Sequence, residues 1–169
     1  MKSVLTALLA ALAFTFTGCA GYHAGSDKPH QMAAVTKLAI PTFKNDTLEP
    51  RVDVLVTNAI IKKFQMDGTY KITSVADADA VLKGTINDIT RRQFRADLNN
   101  NLVTTEILVG FVVKYQVVDK NGTVLLAGQE KDQSNLALDP DFQITERQAL
   151  ADAAERLSWS VSSNVTNGW

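Results

Sequence analysis

Cys19 is the only thiol in the 169-residue chain, and its neighbours decide what that thiol can do. It closes the run Phe16-Thr17-Gly18-Cys19 at the end of an apolar N-terminal segment. Small residues before a lone cysteine at that place are the layout of a bacterial lipobox. A diacylglycerol is attached to the sulfur, and a signal peptidase then cuts before the cysteine. The pattern usually opens with Leu; here it opens with Phe16, while Gly18 meets the peptidase's need for a small residue. A covalent lipid on Cys19 is therefore expected, with no other cofactor and no metal.

A second chemistry resides in Arg91, Arg92 and Arg95, three guanidinium groups within five residues. Guanidinium forks bind phosphate through paired hydrogen bonds. In ideal strand alternation Arg91 and Arg95 share one face and Arg92 takes the other. The competing reading is a solvated, charged strand end that discourages edge pairing. Catalysis has less to build on. Both histidines, His23 and His30, fall in the stretch that follows Cys19. No Gly-x-Ser-x-Gly elbow, zinc-ligand spacing or phosphate loop occurs. Asp77 and Asp79 stand two apart at a strand entrance and read as turn residues, not as an acid–base pair. No enzyme is expected.

The elements that must carry these groups follow from the patterning. Met1 to Gly18 reads as a secretory signal, with Lys2 as its positive end and Val4 to Phe16 as its apolar run, too short to span a bilayer. The mature chain would start at Cys19 and stay on a membrane through its acyl chains, each buried CH₂ contributing roughly 0.8 kcal/mol. With its one thiol acylated it would hold no disulfide, so stability must come from a packed core. The net charge is −1, or −2 once Lys2 leaves with the signal. A nucleic-acid-binding protein would show a dominant basic excess instead.

Residues 19–34 read as a lipidated N-terminus and flexible tether, interrupted by Gly21, Gly25 and Pro29. Residues 35–165 form one domain, and residues 166–169 a frayed end. Val35 to Phe43 is apolar and strand-like. Pro50 to Met66 carries Val52, Val56, Ile60 and Phe64 at helical spacing, ended by Asp67-Gly68. Tyr70 to Val75 is a short strand candidate. Ala80 to Phe94 alternates, then slips, which predicts a bulge near Asn87-Asp88. Leu98-Asn99-Asn100-Asn101 reads as a hairpin tip. Val103 to Val117 alternates strictly, with its odd positions toward the core, and Asn121-Gly122 turns the chain into a strand over Thr123 to Lys131. Asp132 to Phe142 reads as a loop. Thr145 with Gln148 marks the cap of a second helix, whose stripe includes Ala149, Leu150, Ala153, Ala154, Leu157 and Val161. Clustered strands with two covering helices make an α+β two-layer sandwich.

These residues together resemble the LPS-assembly lipoprotein family LptE. The resemblance is carried by Cys19-Ala20-Gly21-Tyr22-His23, by Ile40-Pro41-Thr42-Phe43-Lys44-Asn45-Asp46-Thr47, by Glu49-Pro50, and by Ala78-Asp79-Ala80-Val81-Leu82-Lys83-Gly84-Thr85-Ile86. Glu146 with Ala149-Leu150 and Ala153-Ala154 fits as well. The family places Gly between the cysteine and the tyrosine, whereas here Ala20 is inserted, a change in the tether and not in the fold. The resemblance implies two helices packed on a mixed four-stranded sheet, with the order β-α-β-β-β-α. It implies an LptD-like outer-membrane β-barrel as partner, support for barrel assembly, and contact with lipopolysaccharide. Ala20, in place of the aspartate that holds enterobacterial lipoproteins at the inner membrane, implies the outer membrane, facing the periplasm. On this resemblance Arg91, Arg92 and Arg95 become candidate contacts for LPS phosphates, and Leu98, Asn99, Asn100 and Asn101 candidate partner contacts. The alternative is a periplasmic lipoprotein scaffold that activates a cell-wall synthase.

Lipid attachment and cleavage both depend on the thiol. Cys19→Ala should accumulate as the uncleaved precursor, and mass spectrometry of the wild-type N-terminus should find an acylated cysteine. Cleavage elsewhere, or an unmodified Cys19, would contradict the lipobox.

Overall fold

Strict alternation over residues 103–117 dictates the middle of the sheet. A computed structural model describes residues 28–96, 104–137 and 146–168. Its elements are β1 (Lys37–Ala39), β2 (Lys44–Asn45), α1 (Val52–Asp67), β3 (Lys71–Ile72), β4 (Ala80–Ala96), β5 (Thr104–Asp119), β6 (Val124–Ala137) and α2 (Glu146–Asn167). A short 3₁₀ turn, His30–Met32, precedes them. The sheet runs β3-β1-β4-β5-β6, with β2 also paired to β4. β4, β5 and β6 are antiparallel, whereas β1 pairs parallel to both β3 and β4 and β2 pairs parallel to β4. This is the expected α+β arrangement of two helices on a mixed sheet. The sheet holds six strands and not four, because the two-residue strands β2 and β3 join β1, β4, β5 and β6. Pro41 has no N–H to donate and follows the end of β1, so the apolar run from Val35 to Phe43 pairs only over Lys37–Ala39, and β2 forms just beyond it at Lys44–Asn45.

The odd side chains of β5 face the helices. Val109, Phe111, Val113 and Val117 are fully buried, and Tyr115 nearly so. Along β4, Leu82 and Ile86 point the same way, opposite Val117 and Val113. The register then moves from Ile86↔Val113 to Asp88↔Val112, leaving Asn87 without a partner. That is the predicted bulge, and it returns Ile89 to the buried face. Gly84 has its own reason: a Cβ there would overlap the Phe43 ring, so the missing side chain lets Phe43 lie on β4.

The helices bury the stripes their spacing predicts, Val52, Val56, Ile60 and Phe64 from α1 and the alanine-rich face from α2. Gly68 caps α1 at φ 76, its N–H donating to the Phe64 carbonyl at 3.1 Å. At the other end Pro50 lies just before the helix, and Arg51 takes a left-handed φ of 68 at the N-cap. Thr57, buried within α1, accepts the Phe43 N–H at 2.9 Å and so joins the helix to the chain entering β2. α2 is tied to β6 by Asn164 Nδ2, which donates to Glu130 at 2.7 Å. Burial in that seam raises the Glu130 carboxyl above its ordinary range.

Three boundaries differ from the sequence reading. β6 continues beyond Lys131 to Ala137, because Ser134 and Leu136 turn inward opposite Val109 and Ile107 while the polar residues between them mask the alternation. The C-terminus does not fray at residue 166. Thr166 is buried and donates to the Ser162 carbonyl at 2.8 Å, and the buried Tyr70 hydroxyl donates to the Val165 carbonyl at 3.1 Å. The stretch read as tether is packed from Lys28 onward: Met32 is fully buried, and Lys28 Nζ donates to the Val35 carbonyl at 2.8 Å. The Thr145 cap lies outside the described residues. Among the described residues no helix is long and apolar enough to cross a membrane.

The register has a direct test by chemical denaturation. Phe111→Ala should lose about 3–5 kcal/mol, the usual cost of deleting a buried aromatic side chain. Gln116→Ala, on the exposed face, should lose under about 0.5 kcal/mol. Equal losses would show that the faces are assigned wrongly.

Candidate functional site

The arginines sit on the far half of β4, past the bulge that sets which way each one points. Arg91 pairs with Val109 and therefore lies on the helix side. There it meets the ends of both helices. Its Nε donates to Glu146 Oε1 at 2.7 Å, and its Nη2 lies 2.6 Å from the same oxygen. Nη2 also donates to Glu49 Oε2 at 3.1 Å. Glu49 immediately precedes the turn into α1, and Glu146 opens α2, where a carboxylate also suits the helix dipole. The hydrogen bond to Glu146, reinforced by both negative charges, raises the Arg91 pKa further and keeps the cation in place. Arg91 is thus a clasp between two helix starts, and its surroundings hold two carboxylates to one cation.

Arg92 and Arg95 behave differently. Ideal alternation would pair Arg95 with Arg91, but the register slips again between Gln93 and Arg95. Arg95 therefore stands opposite Glu106 and Arg92 opposite Leu108, both on the face away from the helices. The extra residue, Phe94, is the cause of the correction. Arg92 donates to Gln133 Oε1 at 3.2 Å. Arg95 reaches Glu106 at 3.6 Å, and its side chain is 71% exposed. The structure thus brings Arg92 and Arg95 together and holds Arg91 apart from them.

The remaining candidates divide in two. Cys19, His23 and the tip residues Leu98, Asn99, Asn100 and Asn101 lie outside the described residues. Asp77 and Asp79 lie in the turn before β4, as read. Asp77 accepts from Ser74 Oγ at 2.9 Å. Asp79 accepts from the Thr36 hydroxyl at 2.7 Å and from the Thr36 and Lys37 N–H groups, fixing the entrance of β1 beside β4. Those hydrogen bonds, the Thr36 hydroxyl first, hold its carboxyl well below the usual range. Among the described residues no group of His, Cys, Asp or Glu could hold a metal ion. One feature was missed in the sequence: a groove of about 250 Å³ between the helices, where Trp159 and Met66 are exposed and Lys63 Nζ lies 3.0 Å from the Trp159 ring centre. Both apolar side chains fall off the buried stripes, which was the available signal.

A double-mutant cycle measures the clasp. Arg91→Ala and Glu146→Ala should couple by about 0.5–1 kcal/mol, because the partners are roughly half exposed and water screens the pair. Additive losses would mean that the contact contributes nothing.

Comparison with known proteins bears on this arrangement. The family model for LptE, lipopolysaccharide-assembly, matches residues 35–163, more than half of the chain. No curated protein sequence matches it significantly. Several solved structures share the fold. The PelC dodecamer from Paraburkholderia phytofirmans is 18% identical with a TM-score of 0.52, over 77% of this chain and 88% of that one. A hypothetical protein from Chlamydia trachomatis is 10% identical with a TM-score of 0.56, over 79% and 96%. The uncharacterized lipoprotein B from Nitrosomonas europaea is 11% identical with a TM-score of 0.56, over 78% and 83%. At these identities the likeness concerns the fold alone, whereas the family match follows the sequence from the approach to β1 into α2, and the chain belongs to the LptE lipopolysaccharide-assembly family.

Proposed function

We propose that this protein is an outer-membrane lipoprotein, anchored through Cys19 and facing the periplasm, that partners an LptD-like β-barrel. It supports assembly of the barrel and delivery of lipopolysaccharide to the cell surface. The observation that carries this reading is the family match over residues 35–163. The chemistry of the arginine region agrees with it. Arg92 and Arg95 present exposed guanidinium groups on the open face of β4, and two such groups suit the phosphates of LPS. Arg91 contributes less directly, because a phosphate must compete there with Glu49 and Glu146. Residues Leu98 to Asn101, between β4 and β5, are the proposed contact with the barrel. The activity is binding and positioning, with no chemical step.

Arg92→Glu combined with Arg95→Glu should weaken LPS binding about tenfold at matched salt while leaving the melting temperature unchanged, since both side chains are exposed. A photo-crosslinker at Asn100 should capture the barrel in outer membranes. Unchanged LPS binding would return the arginines to a charged strand end. Capture of a cell-wall synthase alone would replace the barrel reading with the scaffold one.

A further inference from the structure

The two faces of the sheet carry opposite chemistry. One is apolar and covered by the helices. On the other, register and alternation place Lys83 opposite Gln116, Lys114 opposite Thr85, and Lys131 opposite Val112. Lys37 and Lys71 stand side by side at one end, a like-charge pair that a sheet built only for stability would avoid. Arg92 and Arg95 stand at the other end. With Lys44, opposite Thr85 on the β2 side, this makes eight exposed cations on one face. Four carboxylates share it: Asp79 beside Lys37, Asp46 beside Lys44, Asp88, and Glu106 beside Arg95. The whole chain has a net charge of −1, so the excess is a segregation and not a composition effect. Among the described residues no carboxylate comes within ion-pair distance of Lys83, Lys114 or Lys131.

The rest of this face says what the cations meet. β6 adds amides, Gln129, Gln133 and Asn135, beside the lysines. Most exposed large apolar side chains lie elsewhere: Leu48, Val54, Met66, Val75 and Trp159 are in loops or helices, Phe94 is at the far bulge of β4, and Val124, opposite Val118, stands at one end of this face. A surface that binds a bilayer combines cations with apolar side chains that insert between the lipids. The middle of this face has cations and amides around a half-buried Val112, with a shallow hollow of about 180 Å³ between Lys83 and Lys114. That suits a rigid, hydrated protein surface of opposite charge.

We propose that the uncovered face of the sheet docks against an acidic, polar protein wall, with Lys83, Lys114 and Lys131 at its centre. The inference rests on the barrel partnership proposed above, since a barrel lumen is polar; it adds that the wall met by this face is acidic, and it fixes which layer of the sandwich faces it. Opposite charge would orient the approach and make association salt-dependent.

The test uses the full-length lipidated protein and its purified LptD-like barrel in detergent. Lys83→Glu, Lys114→Glu and Lys131→Glu together should weaken barrel binding at least about tenfold and flatten its salt dependence. The triple Lys→Arg variant should bind as the wild type does, and so should Lys62→Glu with Arg156→Glu on the helix layer. If charge reversal disturbs folding, the triple Lys→Gln variant gives the same reading with an intermediate loss. Undiminished binding by the Glu variant overturns the inference while leaving the partnership standing. So does an equal loss from the helix-layer variant. A wild type that never binds the barrel removes the partnership and this inference with it.

Discussion

The pairing of β4 with β5 decides which side chains the sandwich buries and which it presents. In a strand every one-residue slip exchanges the two faces. β4 makes such a slip at Asn87 and another at Phe94. The first keeps the interior apolar, handing the buried side from Ile86 to Ile89. The second acts on charge, moving Arg95 across to the face of Arg92 and away from Arg91. Two of the ladder's three irregularities thus sort three neighbouring arginines into one structural clasp and two exposed guanidinium groups on the opposite face.

The clasp and the open face are complementary parts of one design. Arg91 holds the starts of both helices to the sheet, so the helix layer is closed over the core at that end. Among the described residues no element covers the other face, and antiparallel strands allow this because only one side needs to be apolar. The uncovered side is basic although the chain as a whole is slightly acidic. The chain belongs to the LptE lipopolysaccharide-assembly family, and this polar face is where the proposed contact with a partner is placed.

Much of this was legible in the sequence, and the rest was hidden for definite reasons. The odd face of β5, the bulge at Asn87 and both helix stripes are periodic signals, readable within one segment. The clasp is not. Its partners lie 42 and 55 positions from Arg91, and no local pattern brings them together. The second slip was equally invisible, because Gln93, Phe94 and Arg95 fit either face in hydropathy. β6 was read too short because Gln133 and Asn135 face outward and Asp132 lies on the inner face beside Ser160, so charge and amides conceal the buried Ser134 and Leu136. Thr166 and Met32 read as parts of flexible ends because one polar and one isolated apolar residue carry no period.

The central claim is a stable association, so the complex isolated from its own membrane is the decisive object. Full-length protein purified from detergent-extracted outer membranes and weighed intact by native mass spectrometry should appear as an equimolar complex with an LptD-like barrel. Recovery of the protein alone, or with a cell-wall synthase and no barrel, would contradict the account.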